Sequence, residues 1–561
     1  MAFENLSSKT RRLTLKDGYY IIAILVLYCI VSFFHLGSMK NPQTFWIADG
    51  EGKSVTLDLG NVYSVSKIRY YTGPRFGEYG LYISNDNKVF NAITPLEEKK
   101  VFFWEDVALN QSFRYLRIVE GSSGSIGEIG FYDEEGRVLP VTALEESGKV
   151  LVDEQDQIPK EISYLNTTYF DEIYHARTAY EYIHGMTIYE WTHPPLGKLI
   201  MTIPIMLFGM NTFSYRLAGN IAGIIMLVII YIFAKRIFKE TKYAALAMLL
   251  FAVDGMHFVQ TRIGTVDSFL VLFILLAYLF MYQYTCCNTK HELSKMHINL
   301  FLSGLFMAAA ISTKWNGAYS AVGLAIIFFI DFFKRNNEGG FHNKWQTERM
   351  KIILACFGYF VFIPIIVYVA SFIPDMIIEP EYRTISGFIK LQERMFNYHS
   401  GLDATHPFSS SWYLWPLGIK PLWYYKGEVA EGMVSTISLH SNPFIWWTGI
   451  ILMLYTFVKA VIDRSKRYTF LSIAILASYI PYILIPRIMY IYHYFPVIPF
   501  MILAIVGGLK DLDERVKFAL SKWYAIIAIS IFVFFYPIYS GFVIPEWYAL
   551  LTEWLPMWQL Y

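Results

Sequence analysis

Apolar runs of membrane-spanning length recur along this 561-residue chain and constrain its fold more than any other feature. They fall at 18–37, 194–210, 214–234, 243–261, 268–285, 298–312, 317–333, 350–373, 441–461, 468–485, 488–508 and 522–543. A bilayer interior offers the backbone no hydrogen-bond partners, so such runs cross it as helices. Charge sorts them. Basic clusters stand at Lys235/Arg236/Lys239/Lys242, Lys290/Lys295, Lys334/Arg335, Lys344/Arg349/Lys351, Arg464/Lys466/Arg467 and Lys510/Arg515/Lys517. If every run spans, the first cluster falls outside. If 194–210 does not span, all of them face the cytoplasm, as the positive-inside rule requires. That run is short and begins with two prolines, which suits an interfacial or re-entrant helix. About eleven transmembrane helices result. The N-terminus, with Lys9, Arg11, Arg12 and Lys16, is expected in the cytoplasm, and the first run is read as an uncleaved anchor.

Residues 40–140 break this pattern. VTLDLGNVYSVSKIRYYTG, YGLYISNDNKVF and SFRYLRIVEG alternate apolar and polar positions between Gly, Asn and Asp turns, which predicts an antiparallel β-sandwich. Trp46, TLDLG at 56–60, VSKIR at 65–69, YISND at 82–86, RYLRI at 114–118 and IGEIGFY at 126–132 resemble a discoidin-like (coagulation factor type C) domain. The resemblance implies either a carbohydrate or lipid-headgroup ligand or a plain spacer. A formal net charge of +1 speaks against a nucleic-acid binder, which works by neutralising phosphates. The cysteines Cys29, Cys286, Cys287 and Cys356 lie in or beside apolar runs, so no disulfide framework or zinc spacing is expected.

The topology gives the polar residues one address. Asp171, Glu172, His193, Arg216, Arg262, Asp267, Lys314, Arg487 and the segment 374–440 all fall on the external side. At 164–198, YLNTTYFDEIYHARTAYEYIHGMTIYEWTHPPLGK, helical spacing puts Asp171, Tyr174, His175 and Thr178 on one face, ending at Gly185. Charged groups kept beside membrane-depth sequence are functional candidates, although a solvated acidic helix has the same composition.

FDEIYHARTAYEYIHG, HPPLGKL, TRIGTVDSFL at 261–270, STKWNG at 312–317 and MFNYHSGLDATHPFSSSWYLWP at 395–416 carry a second resemblance. From about residue 160 onward the chain is similar to the protein O-mannosyltransferases, glycosyltransferase family 39 of the GT-C superfamily. The implied protein is a polytopic α-helical membrane protein of GT-C type with an inserted extracytoplasmic β-sandwich. The implied reaction moves a hexose, usually mannose, from a polyprenyl phosphate to a Ser or Thr hydroxyl. Asp171 is then the general base. Glu172, about 100° round the helix, orients it. Asp267 either positions the acceptor or caps the following span. Lys314, Arg487 and His193 meet the leaving phosphate, or, for the two cations, snorkel to headgroups. His399 and His406 contact the donor or serve structure. Arg216 is expected to pair with an acidic residue, and Arg262 to anchor at the interface. No metal or cofactor is assigned, the lipid-linked sugar being a co-substrate.

The expected segments are 1–39 (N-terminus and first span), 40–145 (sandwich), 146–375 (catalytic module), 376–440 (external loop) and 441–561 (four-helix module). Expected partners are the polyprenyl-phosphate sugar, an acceptor protein or surface glycoconjugate, membrane lipid, and a carbohydrate on the sandwich. A glycolipid or wall-polymer acceptor is the nearest alternative. A transporter would place its polar groups at span centres and show inverted repeats, and the sequence displays neither.

Overall fold

The computed structural model describes residues 13–47, 52–97, 99–122, 124–288, 291–338 and 344–559. Lys9, Arg11, Arg12 and Lys290 lie outside the described residues. Helix α1 (Leu15–Phe33) begins with a reciprocal cap, in which Asp17 N–H donates to the Thr14 hydroxyl and Thr14 N–H to the Asp17 carboxylate.

The strands β1 (Trp46–Ile47), β2 (Ser54–Thr72), β3 (Glu78–Ser84), β4 (Asn91–Ala92), β5 (Leu96–Glu97), β6 (Trp104–Ser122), β7 (Ser125–Tyr132) and β8 (Thr142–Ala143) follow. All pair antiparallel in the order β1-β7-β2-β6-β3-β4, with β5 on β3 and β8 on β2. The expected sandwich is therefore one hydrogen-bonded sheet. Its 19-residue strands β2 and β6 shift register between Asp58 and Tyr63 and again between Val65 and Lys67. Gly60 (φ +83°) and Asn110 (φ +53°) supply left-handed backbone at those shifts. Val55, Leu57, Val65, Ile68, Leu81, Leu116, Ile118, Ile129 and Phe131 share one core. Strand alternation turns these side chains inward.

The helices after the sheet are α2 (Glu172–His184), α3 (Leu196–Phe208), α4 (Thr212–Phe238), α5 (Thr241–Ala252), α6 (Gly255–Gln260), α7 (Asp267–Thr285), α8 (Leu293–Thr313), α9 (Ala318–Glu338), α10 (Lys344–Phe357), α11 (Ile363–Ser371), α12 (Ile373–Ile378) and α13 (Ile385–Gly401). Then come β9 (Leu422–Lys426), β10 (Met433–Leu439), α14 (Pro443–Ile462), α15 (Lys466–Tyr479), α16 (Ile498–Val516), α17 (Leu520–Ser540), β11 (Val543–Pro545) and α18 (Glu546–Leu551).

Among the described residues, ten helical segments are long and apolar enough to cross a membrane. The protein is a multi-pass membrane protein. Two apolar helices are shorter. At 13 residues α3 is about 20 Å long, less than a hydrocarbon core. The run 243–261, expected as one span, is broken into α5 and α6. The Asp254 carboxylate accepts from His257 N–H at 3.1 Å and from Trp446 Nε1 at 2.7 Å, and this cap starts a new helix where the old one would have continued.

The chain forms two compact units: His35–Tyr189 with Met201–Ala218, and the other described residues. In the first, the sheet and the acidic helix α2 are one body. Thr168 Oγ1 donates to Val101 O at 2.8 Å, Arg69 Nη1 to Lys160 O at 3.0 Å, and Tyr180 packs edge-on to Phe102 at 5.2 Å. The compositional boundary expected at 145/146 is thus not a boundary in space. In the second, α7 packs on α8, α14 on α15 and α16, and α9 on α15. The expected loop 376–440 holds α13 and the β9–β10 hairpin, which β11 extends to a three-stranded sheet.

Candidate active site

In the first unit, the site is built on α2. Asp171 occupies its N-cap position and is half-buried. Gly185, at φ +61°, ends the helix in the left-handed turn that a β-carbon disfavours. The expected face divides by burial: His175 and Thr178 are buried, whereas Tyr174 is exposed. Glu172 has no exposed surface and is held by Arg216, with Nε to Oε1 at 2.6 Å and Nη2 to Oε2 at 2.7 Å. Tyr169 N–H donates to the same carboxylate at 3.1 Å. Arg216 also donates to the carbonyls of Leu36 (3.0 Å), Tyr164 (2.7 Å) and Thr167 (3.1 Å), so one guanidinium ties α2 to two stretches of backbone. Glu172 is committed to this pair, while Asp171 stands at the head of the helix.

In the second unit, two buried ion pairs, Asp267–Lys314 and Glu190–Lys198, hold the lysines. Asp267 is the first residue of α7; Val266 holds the cap position, and the Asp267 carboxylate pairs with Lys314 Nζ at 2.9 Å. The capping alternative for Asp267 therefore fails. Lys198 Nζ meets Glu190 Oε2 at 2.7 Å and His193 O at 3.0 Å, and His193 Nδ1 lies 3.0 Å from Glu190 Oε1. The His193 and His399 rings stand 5.3 Å apart, and His399 Nε2 lies 2.8 Å from Thr192 O. Burial, with repulsion from His193, Arg487 and Lys314 added, pushes the His399 imidazole down to about 4. Burial likewise lowers His193, opposed by Glu190 and assisted by Lys314 and Lys198. A neutral His399 donating to Thr192 O leaves Nδ1 as an acceptor, and that atom is buried without a partner among the described residues. An anion placed there would raise the pKa and bring in a proton.

Arg487 and His406 line a cavity of ≈ 760 Å³ with Asp403, Ser410, Trp412 and Tyr413. Burial, then Lys420, lowers His406. His193, Arg487 and Lys314 thus all bear on His399, and Lys314 also on His193, while His406 shares the cavity with Arg487. Arg262 is elsewhere engaged. Its Nε and Nη2 donate to Ser32 O (3.1 Å) and Phe34 O (2.8 Å), closing the carbonyl end of α1. One carboxylate oxygen from each of Glu128, Asp153 and Glu154 lies within 4.8 Å of the others; Glu128 accepts from Glu154 N–H and Gln155, Asp153 Oδ1 from Thr44 and Glu154 Oε2 from Gln43 N–H, and no metal is assigned.

Residues 160–378 match the family profile of dolichyl-phosphate-mannose-protein mannosyltransferase, and residues 384–558 that of the C-terminal four-transmembrane region of protein O-mannosyltransferase. The chain belongs to the protein O-mannosyltransferase family. It is a membrane glycosyltransferase. The polyprenol-phosphate-mannose–protein mannosyltransferase of Mycolicibacterium smegmatis is 24% identical over 460 residues, covering 70% of this chain and 88% of the relative. Its Corynebacterium glutamicum counterpart is 24% identical over 431 residues, covering 65% and 81%. The solved S. cerevisiae protein O-mannosyltransferase complex bound to the sugar donor superposes at TM-score 0.61 with 12% identity, over 69% of this chain and 89% of that one, which shows the shared GT-C fold. Both mannosyltransferase profiles begin after the sheet.

Sequence reading passed over Glu190, Lys198 and His493 in this family member. Glu190 and Lys198 flank His193 in EWTHPPLGK, and a charged pair bracketing two prolines was the available signal. His493, buried and stacked on Trp415 at 5.8 Å, sits in an aromatic run that reads as interface belt.

Proposed function

We propose that this chain transfers mannose from a polyprenyl-phosphate carrier to a serine or threonine hydroxyl of a polypeptide, on the extracytoplasmic face and with inversion at the anomeric carbon. The observation that carries the reading is the His193–His399 pair, its rings 5.3 Å apart, with Lys314 bearing on both imidazoles and Arg487 on His399, and with Arg487 lining a ≈ 760 Å³ cavity. Cations and imidazoles gathered in protein at a membrane boundary are costly unless an anion is to be met there. The named bacterial relatives use a polyprenol-phosphate-mannose donor and a protein acceptor, which supports the same pair here.

In the proposed step the acceptor oxygen bonds the anomeric carbon as its O–H bond breaks, and Asp171 takes the proton. The bond from the anomeric carbon to the phosphate oxygen breaks, and its electrons leave on the polyprenyl phosphate. Lys314, Arg487 and the imidazoles stabilise that charge. Asp267 holds Lys314 in place, and Glu172 with Arg216 holds the helix that carries Asp171.

Membranes containing the chain, given radiolabelled polyprenyl-phosphate mannose, should place label on Ser or Thr of protein. Asp171→Asn should slow transfer by about two orders of magnitude or more while donor binding persists. Label confined to lipid or wall polymer would change the acceptor, and near-wild-type turnover by Asp171→Asn would remove the base.

A further inference from the structure

One cluster in the first unit is used by nothing described so far. Tyr174 and Tyr189 are 38% and 42% exposed and lie parallel, 5° between planes and 6.2 Å between centroids. The Arg177 guanidinium lies 3.8 Å from the Tyr189 ring centroid and 4.9 Å from that of Phe76. Phe76 meets Tyr189 edge-on at 5.7 Å. Arg75 and Phe76 belong to the loop between β2 and β3, Tyr174 and Arg177 to α2, and Tyr189 to the segment that follows α2.

Charge there is not balanced. Arg177 is only 7% exposed; its Nε is taken by Glu181 Oε1 at 2.8 Å, but its Nη1 is buried without a partner among the described residues. A buried, unpaired guanidinium N–H is expensive to keep. Arg75 is close enough to repel Arg177, adding to the effect of burial against Glu181. A second guanidinium thus bears on Arg177, whose carboxylate partner is Glu181, beside flat, exposed rings. Tyr174 is one helical turn from Asp171, and residues three apart on a helix are neighbours.

We infer that Arg75, Phe76, Tyr174, Arg177 and Tyr189 form an acceptor subsite that selects polypeptides carrying a carboxylate close to the modified hydroxyl. The inference rests on the proposed function. The carboxylate pairs with the buried guanidinium N–H that has no partner among the described residues, and the tyrosine pair carries the neighbouring peptide. The inserted sheet is therefore part of acceptor recognition, not a spacer.

The test uses the full chain in nanodiscs, polyprenyl-phosphate mannose, and two Ser/Thr peptides that differ only by Asp or Asn beside the acceptor. Wild type should favour the Asp peptide by about tenfold in kcat/KM, the worth of one charge-assisted hydrogen bond. Arg177→Gln and Arg75→Gln should bring that ratio to about one. Arg75 makes no ion pair among the described residues, which keeps the test open if Arg177→Gln fails to fold. Anisotropy with the same labelled peptides and no donor reads the subsite independently of turnover. Preferred binding of the Asp peptide without any transfer would count against the proposed function alone. Equal binding of both peptides by wild type, or a preference that survives in Arg75→Gln and any folded Arg177→Gln, overturns the subsite.

Discussion

Glu172→Gln isolates what the buried Glu172–Arg216 pair does. Both side chains are essentially without exposed surface, at 0% and 1%, and the change keeps shape while removing one charge. Arg216 then stands buried as an uncompensated cation, a loss of about 3–5 kcal/mol for breaking such a pair from one side. Its bonds to Leu36, Tyr164 and Thr167 carbonyls survive, so the damage should be local to α2 and the strand of backbone before it. At 1.4 kcal/mol per tenfold, amides of α2 should lose about two to three and a half orders of magnitude of hydrogen-exchange protection. The assay is exchange mass spectrometry on the full chain in nanodiscs, with the helices α14 to α17 as internal reference. Transfer should fall with the protection of α2, because Asp171 rides on that helix. Unchanged protection across 172–184 would refute the reasoning, since it would mean the guanidinium needs no counter-charge there. Replacing both partners by apolar residues should recover part of the loss, as removal of a whole buried pair often does.

Three further expectations follow from other sites. Lys314→Met should abolish transfer and destabilise the chain, and adding Asp267→Asn should restore stability but not transfer; recovery of both would make the pair purely structural. Burial raises the Glu128 carboxyl to about 7, with Asp153 and Glu154 adding to the push, so the folded protein holds this proton more tightly than the unfolded chain. The contribution, up to about 3 kcal/mol, is present below pH ~4.5 and lost as pH rises through about 7; Glu128→Gln should flatten that part of the stability–pH curve, and an unchanged curve would contradict the burial argument. On a cysteine-free background, Thr405→Cys should react with an impermeant maleimide from outside intact cells and Lys239→Cys should not; labelling at 239 would reverse the orientation.

Several features were legible from residues alone because they depend on short-range rules. Apolar run length marked the spans, while alternation marked the strands of β2, β6 and β7. Gly185 marked the end of α2. The motifs around Asp171, His193, Asp267, Lys314 and His399 marked the family. What pairs with what was not legible. Asp254 looked like one polar residue in a span, and only its buried partners, His257 N–H and Trp446, show why the helix restarts there. Asp267 beside Ser268 read equally as a cap, until the fold brought Lys314, 47 positions away, to 2.9 Å. The sheet read as a separable domain because composition changes near 145, yet Arg69, Thr168 and Tyr180 join it to the acidic helix. Local propensity is written in neighbouring residues, whereas a buried charge takes its partner from whatever chain packs against it, and that is decided only when the whole fold closes.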